Sequence, residues 1–175
     1  MTPKAFASSG VRNETGQPPF RLKKILVPID FSPASKDAFK HALHFAEKFS
    51  AELTLLYVCA PALRPLPRLA GIPGAPSFSK TDRSSADKNF RTLIASSRNG
   101  SVGHSRWTMR AGVPSHEIVE MAKDADVDLI IMAAHGYTSW RHFCIGSTAE
   151  LVVRAAPCPV LVVREKEPGP GCAQS

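Results

Sequence analysis

No run of apolar residues in this chain reaches the roughly 20 needed to cross a bilayer. The first twenty residues lack the apolar core of a secretory leader. Cysteine is scarce: Cys59, Cys144, Cys158 and Cys172 are scattered, no two stand at CxxC spacing, and none groups with histidine at zinc-binding spacing. A disulfide framework and a zinc knuckle are thereby excluded. The expectation is a soluble cytoplasmic protein with reduced thiols, two or three of them filling core space. Aromatic residues amount to 7%, and no stretch interleaves them with clustered Lys and Arg, so a nucleic-acid surface is not expected. No GxxxxGK[ST] loop and no GxSxG elbow occurs, which excludes the Walker-type NTPase and the α/β-hydrolase nucleophile.

What the sequence does contain is ordinary globular composition, with 43% hydrophobic and 21% charged residues over 175 positions, enough for one domain. The net charge of +7 is unevenly placed. Residues 1–24 hold five basic groups against one acid, leaving a net of only +3 on everything after them. Residues 1–21 and 165–175, rich in Ser, Gly and Pro, read as tails flanking a domain over 22–164.

Within that domain two periodicities alternate. Lys24–Ile29, Glu52–Val58, Asp128–Ala133 and Val160–Val163 are short apolar runs of the kind buried on both faces of a parallel sheet. Ser105–Arg110 alternates weakly and predicts a fifth strand. Between them, Ala38, Phe39, Ala42, Leu43 and Ala46 recur at helical spacing over 33–50, behind a Ser32 cap and Pro33. Residues 81–98 predict a second helix, Pro114 opens a third, and a fourth runs from Gly146-Ser147-Thr148 to about Ala155. Five prolines and two glycines mark 60–80 as a long loop. Strands joined by helical crossovers predict a doubly wound, five-stranded parallel α/β sheet.

In such sheets ligands bind beyond the carboxyl ends of the strands, where strand order reverses. That places attention on Pro28, Ile29 and Asp30 after the first strand, and on the segment after the fourth. There the chain reads Met132-Ala133-Ala134-His135-Gly136, then nine residues, then Gly146-Ser147-Thr148. A helix starting at Ser147 or Thr148 directs unpaired amides and about half a positive charge outward, a place for a phosphate. A branched side chain at 146 is expected to occupy the phosphate position. The same residues would also serve simply as a helix cap, and Asp30 as a stabiliser of the first helix start.

The segments KKILVPIDFSPASKDAFKHALHFAEKFSAELTLLYV and MAAHGYTSWRHFCIGSTAELVVRAAPCPVLVV resemble the two ends of the universal stress protein family. The resemblance implies a Rossmann-like three-layer sandwich, of the adenine-nucleotide α-hydrolase-like type, that binds ATP, with Mg2+ as a possible companion. Nucleotide-binding members carry Gly, two residues, Gly, nine residues, then Gly and Ser or Thr; the matching positions are Ala133, Gly136, Gly146 and Ser147, with alanine at the first glycine. By that resemblance Pro28 and Ile29 line the base pocket, and Val58 offers backbone hydrogen bonds to adenine. Asp30 meets the ribose or the adenine end, and Met132 and Ala133 flank the ribose and first phosphate. Gly136, Gly146, Ser147 and Thr148 bind the phosphate chain.

The family also implies a homodimer through antiparallel pairing of Val160–Val163 with its copy. The edge position expected of this last, wholly apolar strand points the same way. Two further readings stay open: a stress protein acting only through protein contacts, which Ala133 keeps in play, and a weak ATP hydrolase. His135, Arg141 and His142 are within reach of a phosphate or are simply loop residues. His41 and His44 share a helix face without an evident third metal ligand.

Overall fold

The computed structural model describes residues 21–59, 80–96, 105–135 and 145–164. The tails, the proline-rich segment 60–79 and the positions Gly136, Arg141, His142, Cys144 and Cys172 lie outside them.

Nine elements alternate along the described chain: β1 (Lys24–Pro28), α1 (Pro33–Phe49), β2 (Glu52–Cys59), α2 (Lys80–Ser96), β3 (Ser105–Ala111), α3 (Pro114–Asp124), β4 (Leu129–Ala133), α4 (Ser147–Ala155) and β5 (Val160–Val163). The five strands form one parallel sheet in the order β3-β2-β1-β4-β5. Order reverses between β1 and β4, and β5 stands at the margin beside β4, as its chain position predicted.

Strand alternation divides the apolar side chains between two cores. Ile25, Val27, Leu53, Leu55, Leu129 and Ile131 face α1 and α2, where Phe39, Ala42, Ala86, Phe90 and Leu93 meet them. Leu26, Leu56, Ile130 and Met132 face α3 and α4, against Ile118, Ala122, Ala149 and Val152. Helices therefore cover both sheet faces, which is why the central strands read as unbroken apolar runs rather than as alternation. β3 has one apolar face, Trp107 and Met109, packed against the α1–α2 core. Arg106, Thr108 and Arg110 occupy its other face, so its periodicity was weak. Arg106 donates to Thr54 Oγ1 across the β2–β3 register at 3.0 Å. Arg110 reaches Asp124 Oδ2 at 2.6 Å and approaches Glu117 Oε2 at 3.8 Å, tying β3 to the length of α3.

The element ends have local causes. α1 stops where Ser50 turns left-handed at φ 52° and its amide closes on Ala46 and Glu47. β4 begins one residue later than expected because Asp128 turns its carboxylate to the amides of Lys23 and Lys24, at 2.7 and 2.9 Å. That clasp ties the entrance of β1 to the entrance of β4. Cys158 packs at the border of the α3–α4 core, and burial, with Asp128 nearby, pushes its thiol up from the ordinary value. Such a thiol is a poor nucleophile, in keeping with a packing role. Among the described residues no helix is long and apolar enough to cross a membrane.

Candidate functional site

A cavity of about 380 Å³ opens beyond the carboxyl ends of β1, β2 and β4, at the reversal of strand order. That volume is within the range of small-molecule sites, about 300–1,000 Å³. Of the ten residues singled out from the sequence, nine line it: Pro28, Ile29, Asp30, Val58, Met132, Ala133, Gly146, Ser147 and Thr148. Gly136, the tenth, lies outside the described residues. Ser35, Leu56, Pro114, Ile118, Ala134, His135 and Ala149 also contribute. Alternation along β2 was a usable signal for Leu56, two positions before Val58. Pro114 and Ile118 depend on where α3 lies over the sheet, which no local pattern encodes.

The wall at the exit of β1 is set by a side-chain relay. Asp30 Oδ1 accepts from the Ser32 amide at 3.0 Å and from its hydroxyl, while Ser32 Oγ accepts from the Ser35 amide at 3.1 Å. Ser35 Oγ donates back to the Ser32 carbonyl at 3.1 Å. Asp30 thus does serve the start of α1, and it lines the cavity as well. The turn requires left-handed backbone at Phe31, φ 65°. That conformation costs a non-glycine residue about 1–2 kcal/mol. The Phe31 ring contacts Tyr57 at 5.2 Å and Phe90 at 5.0 Å between centroids. Two aromatic pairs, each contributing about 0.5–1.5 kcal/mol beyond burial, offset the strain. Ser32→Ala removes both the cap and a donor to Asp30; the expected loss is about 1–2 kcal/mol of unfolding free energy, read by urea denaturation.

At the exit of β4 the chain returns to the sheet at Gly146, whose amide donates to the Ala134 carbonyl at 2.8 Å. Gly146 is the N-cap of α4, extended at φ −62°, with no side-chain cap. The amides of Ser147, Thr148 and Ala149 that follow have no carbonyl one turn back within the helix, and all three residues border the cavity. A Cβ built at Gly146 would sit 3.1 Å from the Ala134 carbonyl oxygen and 3.7 Å from His135 Cα, pressing on the end of β4. Its lack of a side chain matters because the α4 start must approach the strand closely.

Ala133 is 9% exposed, and alternation along β4 sends its methyl group to the face of Leu129 and Ile131, opposite Met132. His135 borders the cavity, yet its Nε2 is buried and has no hydrogen-bond partner among the described residues. His44 Nδ1 is engaged with the Lys40 carbonyl at 2.8 Å, and His41 lies 3.9 Å from Asp37. Among the described residues no group of three or more His, Cys, Asp or Glu converges as a metal site.

The universal stress protein family model matches residues 21–164. Universal stress protein MJ0531 of Methanocaldococcus jannaschii is 35% identical over 149 residues, 82% of each chain. Universal stress protein YxiE of Bacillus subtilis is 32% identical over 147 residues, 82% of this chain and 99% of its own. Universal stress protein UspA from Lactobacillus plantarum superposes with a TM-score of 0.58 at 28% identity, covering 82% of this chain and 99% of the other. A universal stress protein solved in complex with cAMP superposes with a TM-score of 0.62, covering 82% and 98%; at 18% identity that likeness bears on the fold alone. A doubly wound sheet ordered 3-2-1-4-5, a cavity at its switch point and a match spanning the whole described domain agree: this chain belongs to the universal stress protein family.

Proposed function

We infer that this protein is an ATP-binding stress-response module that works as a homodimer. The observation that carries the reading is the cavity at the β1/β4 switch point. Leu56, Val58, Ile118 and Met132 give it an apolar wall that suits a base, and the start of α4 gives it amides that suit phosphates. Asp30, held at the exit of β1, would repel phosphates and belongs with the sugar. Pro28 and Ile29 flank the base, and the Val58 backbone supplies its hydrogen bonds. Met132 and Ala133 border the sugar and first phosphate; Gly146, Ser147 and Thr148, with Gly136, hold the phosphate chain. Magnesium, where present, travels on the phosphates, since carboxylates alone rarely hold it without them. The bound adenylate of the cAMP complex named above belongs to a protein of the same fold and accords with this reading.

Binding, rather than turnover, is the activity: a hydrolase also needs a group that orients the attacking water, and Asp30 Oδ1 is already committed to Ser32. Occupancy then acts by changing dimer behaviour or partner contacts. The dimer forms through Val160–Val163, an apolar margin strand left half-buried in the described chain, paired antiparallel with its copy. Leu151 and Val153 of α4, about half exposed, add apolar surface near it.

The test is made on protein purified without added nucleotide. Denaturation and mass spectrometry are expected to release an adenine nucleotide, and calorimetry on the stripped protein to give a micromolar dissociation constant for ATP. No released nucleotide together with no saturable binding at millimolar ATP overturns the reading in favour of a stress protein that works by protein contacts alone.

A further inference from the structure

Phe31 follows directly on Asp30 but does not itself line the cavity. Its ring meets Tyr57 of β2 and, edge-on at 5.0 Å, Phe90 of α2. Phe90 is fully buried and stacks at 4.9 Å on Trp107 of β3. A column of rings thus runs from α2 and the sheet margin to the turn after β1. At the end of that column the backbone is left-handed, φ 65°, a conformation bulky residues avoid. Such backbone persists only where its surroundings over-determine it. It is also what folds the Ser32 amide back onto Asp30 Oδ1 at 3.0 Å.

We propose that Phe31 is a positioning residue for the ligand site: α2, through Phe90, holds the Phe31 backbone left-handed, and that backbone orients the Asp30 carboxylate toward the sugar of the ligand. The ligand half of this statement rests on the nucleotide reading above; the hold on the turn does not. α2 thereby controls a site that none of its described residues lines. Displacing α2 from the sheet weakens sugar recognition, and by linkage an occupied site strengthens the docking of α2.

The test uses the full chain with Phe31→Ala, Phe90→Leu and Asp30→Asn, the last able to keep the same turn. Phe90→Leu keeps most of the apolar volume in place. Without nucleotide, hydrogen exchange by NMR at the Ser32 amide is expected to quicken about tenfold in Phe31→Ala and Phe90→Leu, while the Ile131 amide in β4 holds its wild-type rate. Unchanged Ser32 exchange in both variants overturns the proposal.

With nucleotide, Phe31→Ala is expected to weaken ATP binding about tenfold and to leave binding of free adenine unaltered. In the Asp30→Asn background the same substitution is expected to add less than about twofold, because residues acting through one another are not additive. Equal losses for ATP and adenine, or an undiminished loss in that background, would mean general loosening and sink the proposal. If the wild type fails to bind ATP at all, the nucleotide reading falls, and Ser32 exchange still decides whether Phe31 holds the turn.

Discussion

Gly146→Val is expected to remove ATP binding while leaving the sheet folded. The first carbon of the new side chain already stands 3.1 Å from the Ala134 carbonyl oxygen, closer than real Cβ contacts ordinarily come, and two further methyl groups deepen the clash. The obstacle is backbone, not the tip of a flexible side chain, so relieving it calls for a shift of a few tenths of an ångström in the Ala134 carbonyl or the α4 start, and more for the valine methyl groups. A shift of the α4 start strains the Gly146 amide bond to Ala134 and displaces the amides of Ser147, Thr148 and Ala149 from where they line the cavity. A loss of about a hundredfold in ATP affinity, ~2.7 kcal/mol, is expected from calorimetry, with far-ultraviolet circular dichroism unchanged. Gly146→Ala should fall between valine and wild type, since it meets the same carbonyl with one carbon. Wild-type affinity in the valine variant would remove the α4 start from the site.

Val162→Lys is expected to yield monomers. β5 is apolar throughout and half-buried along its length, and its one strand partner among the described residues is β4. Pairing with a second copy would cover it. A lysine at 162 puts a cation on each copy of a strand that has to lie against its equivalent, the device by which natural sheets block edge-to-edge pairing. Because Val162 is only partly buried, opposite Met132 in the β4–β5 register, the monomer itself keeps its fold. Light scattering should show the dimer dissociation constant raised by about a hundredfold or more. An unchanged dimer would place the interface on another face.

The central strands were legible because burial on both faces favours apolar runs, and β1, β2 and β4 have them; β5, at the margin and half-buried, was legible because it is apolar throughout. β3 was legible only weakly, for a margin strand with Arg106, Thr108 and Arg110 on one face carries half the signal. α1 announced itself through Ser32 and Pro33, and the structure shows the Ser32 hydroxyl accepting from Ser35. The site was legible in part for a general reason: parallel α/β sheets place ligands beyond the strand ends, so residues at those ends could be named before any coordinates. Ser35, Pro114, Ile118 and Ala149 were not named, because their presence depends on how three helices lean over the sheet.

Phe31 shows the boundary most sharply. Nothing in Ile-Asp-Phe-Ser marks an aromatic residue for left-handed backbone, where glycine is the usual choice. The conformation exists because Tyr57 and Phe90, 26 and 59 positions further along the chain, converge on the ring.

By itself, then, the sequence determined the element order, the two-sided burial of the sheet and the strand ends that form the cavity floor, since these follow from local periodicity and from the handedness of crossovers. Only the tertiary structure decided how closely position 146 approaches the Ala134 carbonyl, how Asp30 is divided between the helix start and the cavity, and what holds Phe31. Those outcomes depend on distances between segments far apart in the chain, and such distances are set by packing rather than by any local pattern of residues.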